Sequence, residues 1–104
     1  MEISSVELQE KIKNGEKVIV EFWAEWCGPC KMMKPIFERV AKGNTTDVQM
    51  YTMNVDLNRD AAAGLGIRSI PTIKVFSGGD VVETKIGALN EGQINELIGE
   101  LIHG

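Results

Sequence analysis

The chain has 104 residues, of which 43% are hydrophobic and 25% charged, and its net charge is −4. A length of this order suits one domain spanning 1–104, and the ordinary composition sets disorder and coiled coil aside. The acidic balance argues against nucleic acid as a direct partner, and no apolar run approaches the ~20 residues needed to cross a bilayer.

The opening stretch Met1-Glu2-Ile3-Ser4-Ser5 lacks a basic region followed by an apolar core. No signal peptide is read from it, and a cytoplasmic protein is expected. Ser4 or Ser5 can cap a first helix running to about Lys13, with Val6, Leu8 and Ile12 as inward candidates, and Asn14-Gly15 ends it. Val18 to Ala24 is rich in β-branched and aromatic residues with little alternation, the pattern of a strand buried on both faces. A helix starts at Cys27 and Cys30, with Pro29 in its first turn, where a missing N–H costs nothing. Met33, Ile36, Phe37, Val40 and Ala41 form its apolar stripe, and Pro35 interrupts the middle.

Val48 to Val55 predicts a second strand with Met50 and Met53 turned inward. Asn58 to about Leu65 predicts a short helix. Pro71 to Ser77 and Val81 to Ile86 predict a hairpin around Gly78-Gly79. Asn90 to Ile102 predicts a last helix with Ile94, Leu97, Ile98, Leu101 and Ile102 on one stripe. The order, β-α-β followed by a hairpin and a helix, predicts an α/β fold: a central mixed sheet flanked by helices on both faces.

Cys27-Gly28-Pro29-Cys30 holds both cysteines of the chain. Too few for a secreted disulfide framework, they point to redox or metal chemistry. At this spacing a helical turn brings both sulfurs to one helix end, where backbone N–H groups and the dipole favour a thiolate. Cys27, ahead of the helix and expected to be partly exposed, is the candidate nucleophile. Cys30, one turn inside, is the candidate resolving thiol. A static disulfide is the plainer alternative. Zinc needs about four ligands, and beyond the cysteines only His103 is on offer, so no metal site is expected.

Around the motif, Phe22-Trp23-Ala24-Glu25-Trp26, Lys31-Met32, Pro35, Asn54-Val55-Asp56, Gly66-Ile67-Arg68-Ser69-Ile70-Pro71-Thr72 and Gly87-Ala88-Leu89 stand in an order that resembles the thioredoxin family over nearly the whole chain. The resemblance implies the thioredoxin fold and a protein-disulfide reductase (a thiol–disulfide oxidoreductase and electron carrier in cell redox homeostasis) with no bound cofactor. Reducing equivalents would come from a flavin-dependent thioredoxin reductase fed by NADPH, or from a ferredoxin-linked reductase. Disulfide-containing proteins are the implied substrates, with neither membrane nor nucleic acid as partner, and a monomer is expected. It also implies that Trp26, Gly28, Pro29, Ile70, Pro71, Gly87 and Ala88 form the substrate-docking surface. The Ile70-Pro71 bond is cis by resemblance, whereas base rates alone favour an ordinary trans proline at a strand start. Pro29 beside the second cysteine favours a reducing dithiol over an oxidase. A redox-independent binding role, such as a polymerase accessory subunit, is the alternative reading.

Two positions depart from the family pattern. Glu21 stands where an aspartate is usual; a carboxyl inside a buried strand should have a raised pKa, and we read it as proton carrier to and from Cys30. A structural carboxyl is the competing reading. Thr52 stands where a lysine usually accompanies that acid. The N-terminus is also short: only Met1-Glu2-Ile3 precede the first helix, so the family's first edge strand should be short or missing and the neighbouring sheet edge less covered.

Overall fold

In the computed structural model, which describes residues 1–103, helix α1 spans Ser5–Lys13 and strand β1 Val18–Trp23. Helix α2 (Gly28–Gly43), strand β2 (Gln49–Asn54) and the short helix α3 (Arg59–Gly64) follow. The hairpin β3 (Thr72–Ser77) and β4 (Asp80–Ile86) leads to helix α4 (Glu91–His103). The sheet has four strands in the order β2-β1-β3-β4, parallel between β1 and β2 and antiparallel elsewhere. This is the expected mixed sheet. Gly78 and Gly79 both take positive φ, at 64° and 92°, as a two-residue hairpin turn requires.

β1 is central, and all six of its residues are buried. Its side chains alternate between two apolar layers. Val18, Val20 and Phe22 join Leu8 of α1 and Met53 of β2, with Ala61 and Leu65 of the α3 region packed against them. Ile19 joins Met33, Phe37 and Val40 of α2, Met50 of β2, Ile73 and Val75 of β3, and Ile94, Leu97 and Ile98 of α4. By the same alternation Glu21 and Trp23 face α2. Met50 and Met53 are both buried, one in each layer.

Two expected inward residues point out instead. Val6 is 66% exposed and Ile102 42% exposed. α1 buries a single narrow stripe through Leu8, and the buried stripe of α4 runs through Ile94, Leu97 and Ile98 with Leu101 packed beside it, leaving Ile102 at its margin.

Residues 1–3 do not form a strand, but they are not idle. A single parallel bridge joins Glu2 to Thr52, with Ile3 N donating to Thr52 O and Thr52 N to Met1 O, each at 2.9 Å. The Glu2 carboxylate then completes the edge. Its Oε1 accepts from Trp23 Nε1 at 3.0 Å and from Thr52 Oγ1 at 2.9 Å, and its Oε2 accepts from Asn54 N at 2.5 Å. One side chain thus does part of what a further strand would do. Glu2→Ala would strand the buried Trp23 and Thr52 donors, each costing about 1–3 kcal/mol when unsatisfied. We expect a net loss of roughly 2 kcal/mol, read as a lower denaturant midpoint with an unchanged slope; an unmoved midpoint would show that these bonds add nothing.

Candidate active site

Cys27 is the N-cap of α2 and Pro29 lies in its first turn. The capping atom is the cysteine sulfur: Cys27 Sγ accepts from Cys30 N at 3.3 Å. A sulfur so placed meets both a backbone donor and the positive end of the helix dipole, which lowers the cost of holding negative charge there. The two cysteines are joined as a disulfide with Cα atoms 5.3 Å apart, so the structure is that of the oxidised protein. Cys30 is fully buried, as its position one turn into the helix predicts.

Cys27 is less accessible than expected. It is only 5% exposed, because Trp23, Ala24, Val55 and Ile70 pack around the pair. The Ile70 carbonyl oxygen lies 3.8 Å from Cys27 Sγ, and the Ile70-Pro71 peptide bond is cis. The loop before β3 and the start of α2 therefore meet at the disulfide. Gly87, at φ 99°, donates its N–H to Pro71 O at 2.9 Å, which brings the end of β4 to the same place. A side chain at Gly87 would be strained by that φ.

The remaining sequence-predicted residues lie on the outside of this cluster. Trp26 is 71% exposed, and Gly28, Pro29 and Ala88 also reach the surface, while Trp23 is a buried packing residue at 8%. Trp26 is not loose, since its Nε1 donates to Asp56 Oδ2 at 2.9 Å. Asp56 N in turn donates to Asn54 Oδ1 at 2.9 Å. Sequence reasoning assigned no site role to Asp56 or to Ile86, which is 73% exposed immediately before Gly87. An acid just past a strand end, and an apolar residue leading into a glycine turn, were the available signals. Among the described residues no cluster of three or more histidines, cysteines or acids could hold a metal.

Glu21 lies on the face of β1 that α2 covers. It pairs in register with Thr52 on one side and Ile73 on the other, and no part of it is exposed. Both carboxyl oxygens lack a hydrogen-bond donor, the only such buried side-chain atoms among the described residues. The Thr52 hydroxyl could have served, but it is given to Glu2. Burial pushes the Glu21 pKa up to about 8; Lys34 opposes the rise, while Glu38 and Glu2 add to it.

The thioredoxin family model matches residues 1–100 of this sequence. The chain belongs to the thioredoxin family. Among similar proteins, the thioredoxin of Pseudomonas aeruginosa is 41% identical over 86 residues, covering 83% of this chain and 80% of that one. The thioredoxin of Pyropia yezoensis is 39% identical over 94 residues, covering 90% and 88%. Among solved structures, a single-site mutant of the thioredoxin from Halobacterium salinarum superposes with a TM-score of 0.84 at 32% identity, covering 96% of this chain and 88% of that one. With its Cys27–Cys30 redox pair, this thioredoxin-family chain is a thiol–disulfide oxidoreductase.

Proposed function

We propose that residues 1–104 act as a single-domain protein-disulfide reductase in which Cys27 attacks, Cys30 resolves and Glu21 carries the proton. The observation that carries the assignment is the capped Cys27 sulfur at the start of α2 with Cys30 buried behind it. In the reduced protein a Cys27 thiolate accepts the Cys30 N–H and attacks one sulfur of a substrate disulfide. The substrate S–S bond breaks, its other sulfur leaves as a thiolate and takes a proton from water, and a mixed disulfide remains. Cys30, its proton passed to an ionised Glu21, then attacks Cys27 Sγ. The second substrate thiolate leaves, two electrons have moved to the substrate, and the protein is left as the Cys27–Cys30 disulfide.

Geometry supports a protein substrate. The exposed groups beside the disulfide (Trp26, Pro29, Ile86, Ala88) form an open apolar rim next to the Ile70 backbone, suited to an extended segment carrying a cystine. A carboxyl whose pKa lies near 8 can both accept and return a proton around neutrality, which suits the forward step and its reversal during re-reduction. Re-reduction would come from an NADPH-fed flavin thioredoxin reductase, or a ferredoxin-linked one, acting on the same rim.

Insulin-disulfide reduction tests the reading, driven first by dithiothreitol and then by a NADPH–thioredoxin reductase couple. Activity with both is expected; inactivity with both would sink the proposal, and activity with dithiothreitol alone would point to another electron donor. For Glu21, the expected result is that Glu21→Gln slows turnover about 10- to 100-fold near neutrality and flattens its pH dependence. Unchanged rates across pH would remove Glu21 from the mechanism.

A further inference from the structure

Glu21 sits under α2 with no hydrogen-bond donor, and Thr52, opposite it in register, brings a hydroxyl committed to Glu2 rather than a charge. The neighbouring elements differ in what they turn toward it. β3 brings Ile73, and α4 faces the same layer with Ile94, Leu97 and Ile98. The N-terminal segment contributes the Glu2 carboxylate, and α2 contributes Lys34 and Glu38.

Lys34 stands four residues after Cys30 and so lies one turn above it on the same stripe of α2. Helical side chains lean back toward the N-terminus, which aims Lys34 over the turn that holds Cys30. Its ammonium rests 4.7 Å from the centroid of the Trp23 ring, and Trp23 is two residues from Glu21 on the same face of β1. The side chain is only 27% exposed. Its other partner is Glu38, at 3.5 Å and one turn further on, which competes for the charge.

We propose that Lys34 is a positioning residue that controls when the Glu21 carboxyl holds its proton, supplying from helix α2 the positive charge that strand β2 does not. The inference rests on the reading of Glu21 as the proton carrier for Cys30, and it adds the group that tunes it. Lys34 favours the ionised form that accepts the Cys30 proton. Glu38, by drawing the ammonium toward solvent, and Glu2, as a like charge at the sheet edge, favour the protonated form. The Trp23 ring holds the ammonium between these demands.

The test reads Glu21 directly. In the oxidised protein, where neither cysteine titrates, the carboxyl 13C shift of Glu21 is followed against pH. Lys34→Gln should raise the midpoint by about half a pH unit or more, while Lys34→Arg should keep it near the wild-type value. Glu38→Gln should lower it, since it removes a like charge and frees Lys34. A midpoint that Lys34→Gln leaves in place or lowers, or that Lys34→Arg moves as far as Lys34→Gln does, overturns the proposal. No turnover enters this measurement, so its failure is distinct from failure of the Glu21 assignment, which the Glu21→Gln kinetics decide. With both intact, the pH profile of insulin reduction by Lys34→Gln shifts in the same direction as the titration. A profile that stays fixed while the titration moves would count against Glu21 as proton carrier.

Discussion

Cys27→Ser should reduce disulfide-reductase activity by roughly a thousandfold or more, to the background set by dithiothreitol alone. Cys30→Ser should instead stall the protein after one attack. The asymmetry follows from placement. Cys27 Sγ is the helix cap beside the Ile70 carbonyl and the exposed rim, whereas Cys30 is wholly enclosed and can reach only Cys27. With Cys27 present and Cys30 gone, the mixed disulfide forms and nothing inside the protein resolves it. Mass spectrometry after mixing with a cystine-containing substrate should show a stoichiometric adduct on Cys30→Ser and none on Cys27→Ser. The reverse pattern would exchange the two roles.

Glu21→Leu should make the protein more stable than the wild type, and by several kcal/mol more at pH 8 than at pH 5. The sign follows from the raised pKa. Folded, Glu21 keeps its proton until about pH 8; unfolded, it ionises near 4.5. Between those values the native state binds more protons, so its stability falls as pH rises, by ~1.4 kcal/mol per unit for one proton. Below 4.5 the group is neutral in both states, and above about 8 it is charged in both, so the penalty is absent and then constant. Leucine removes the ionisable group and fills a similar volume next to Ile73 and Ile19. Other carboxyls contribute equally to both proteins and cancel in the difference. Guanidinium unfolding at pH 5 and pH 8 checks it: a wild-type-minus-variant difference that does not grow across that window would show that Glu21 is not held protonated.

The two carboxyls, Glu21 and Glu2, mark the boundary of what could be read in advance. Glu21 was visible in the sequence because an acid between Val20 and Phe22 interrupts a run otherwise buried on both faces, so desolvation could be foreseen from position alone. Glu2 gave no such sign. A polar residue near an N-terminus is unremarkable until the chain lies along β2 and Trp23, Thr52 and Asn54 converge on it. Lys34 was equally silent, one lysine among several on an amphipathic helix. Cys27 was expected to be partly exposed and is nearly covered, because its cover comes from Val55 and Ile70, far away along the chain.

From the sequence alone came the periodic features. β-branched and aromatic runs dictated the strands, Gly78-Gly79 the hairpin, the stripes of α2 and α4 their buried faces, and Cys27-Gly28-Pro29-Cys30 the chemistry. These depend on neighbours within a few residues, where backbone geometry and solvation act locally. The tertiary structure alone decided which atoms meet across the sheet. It placed Ile70 and Gly87 against the disulfide, gave the Thr52 hydroxyl to Glu2 and left Glu21 with Lys34 as its source of positive charge. Such contacts depend on strand order and register, which no local pattern encodes. The electrostatics of a buried acid are set by whichever groups the fold brings within a few ångströms of it.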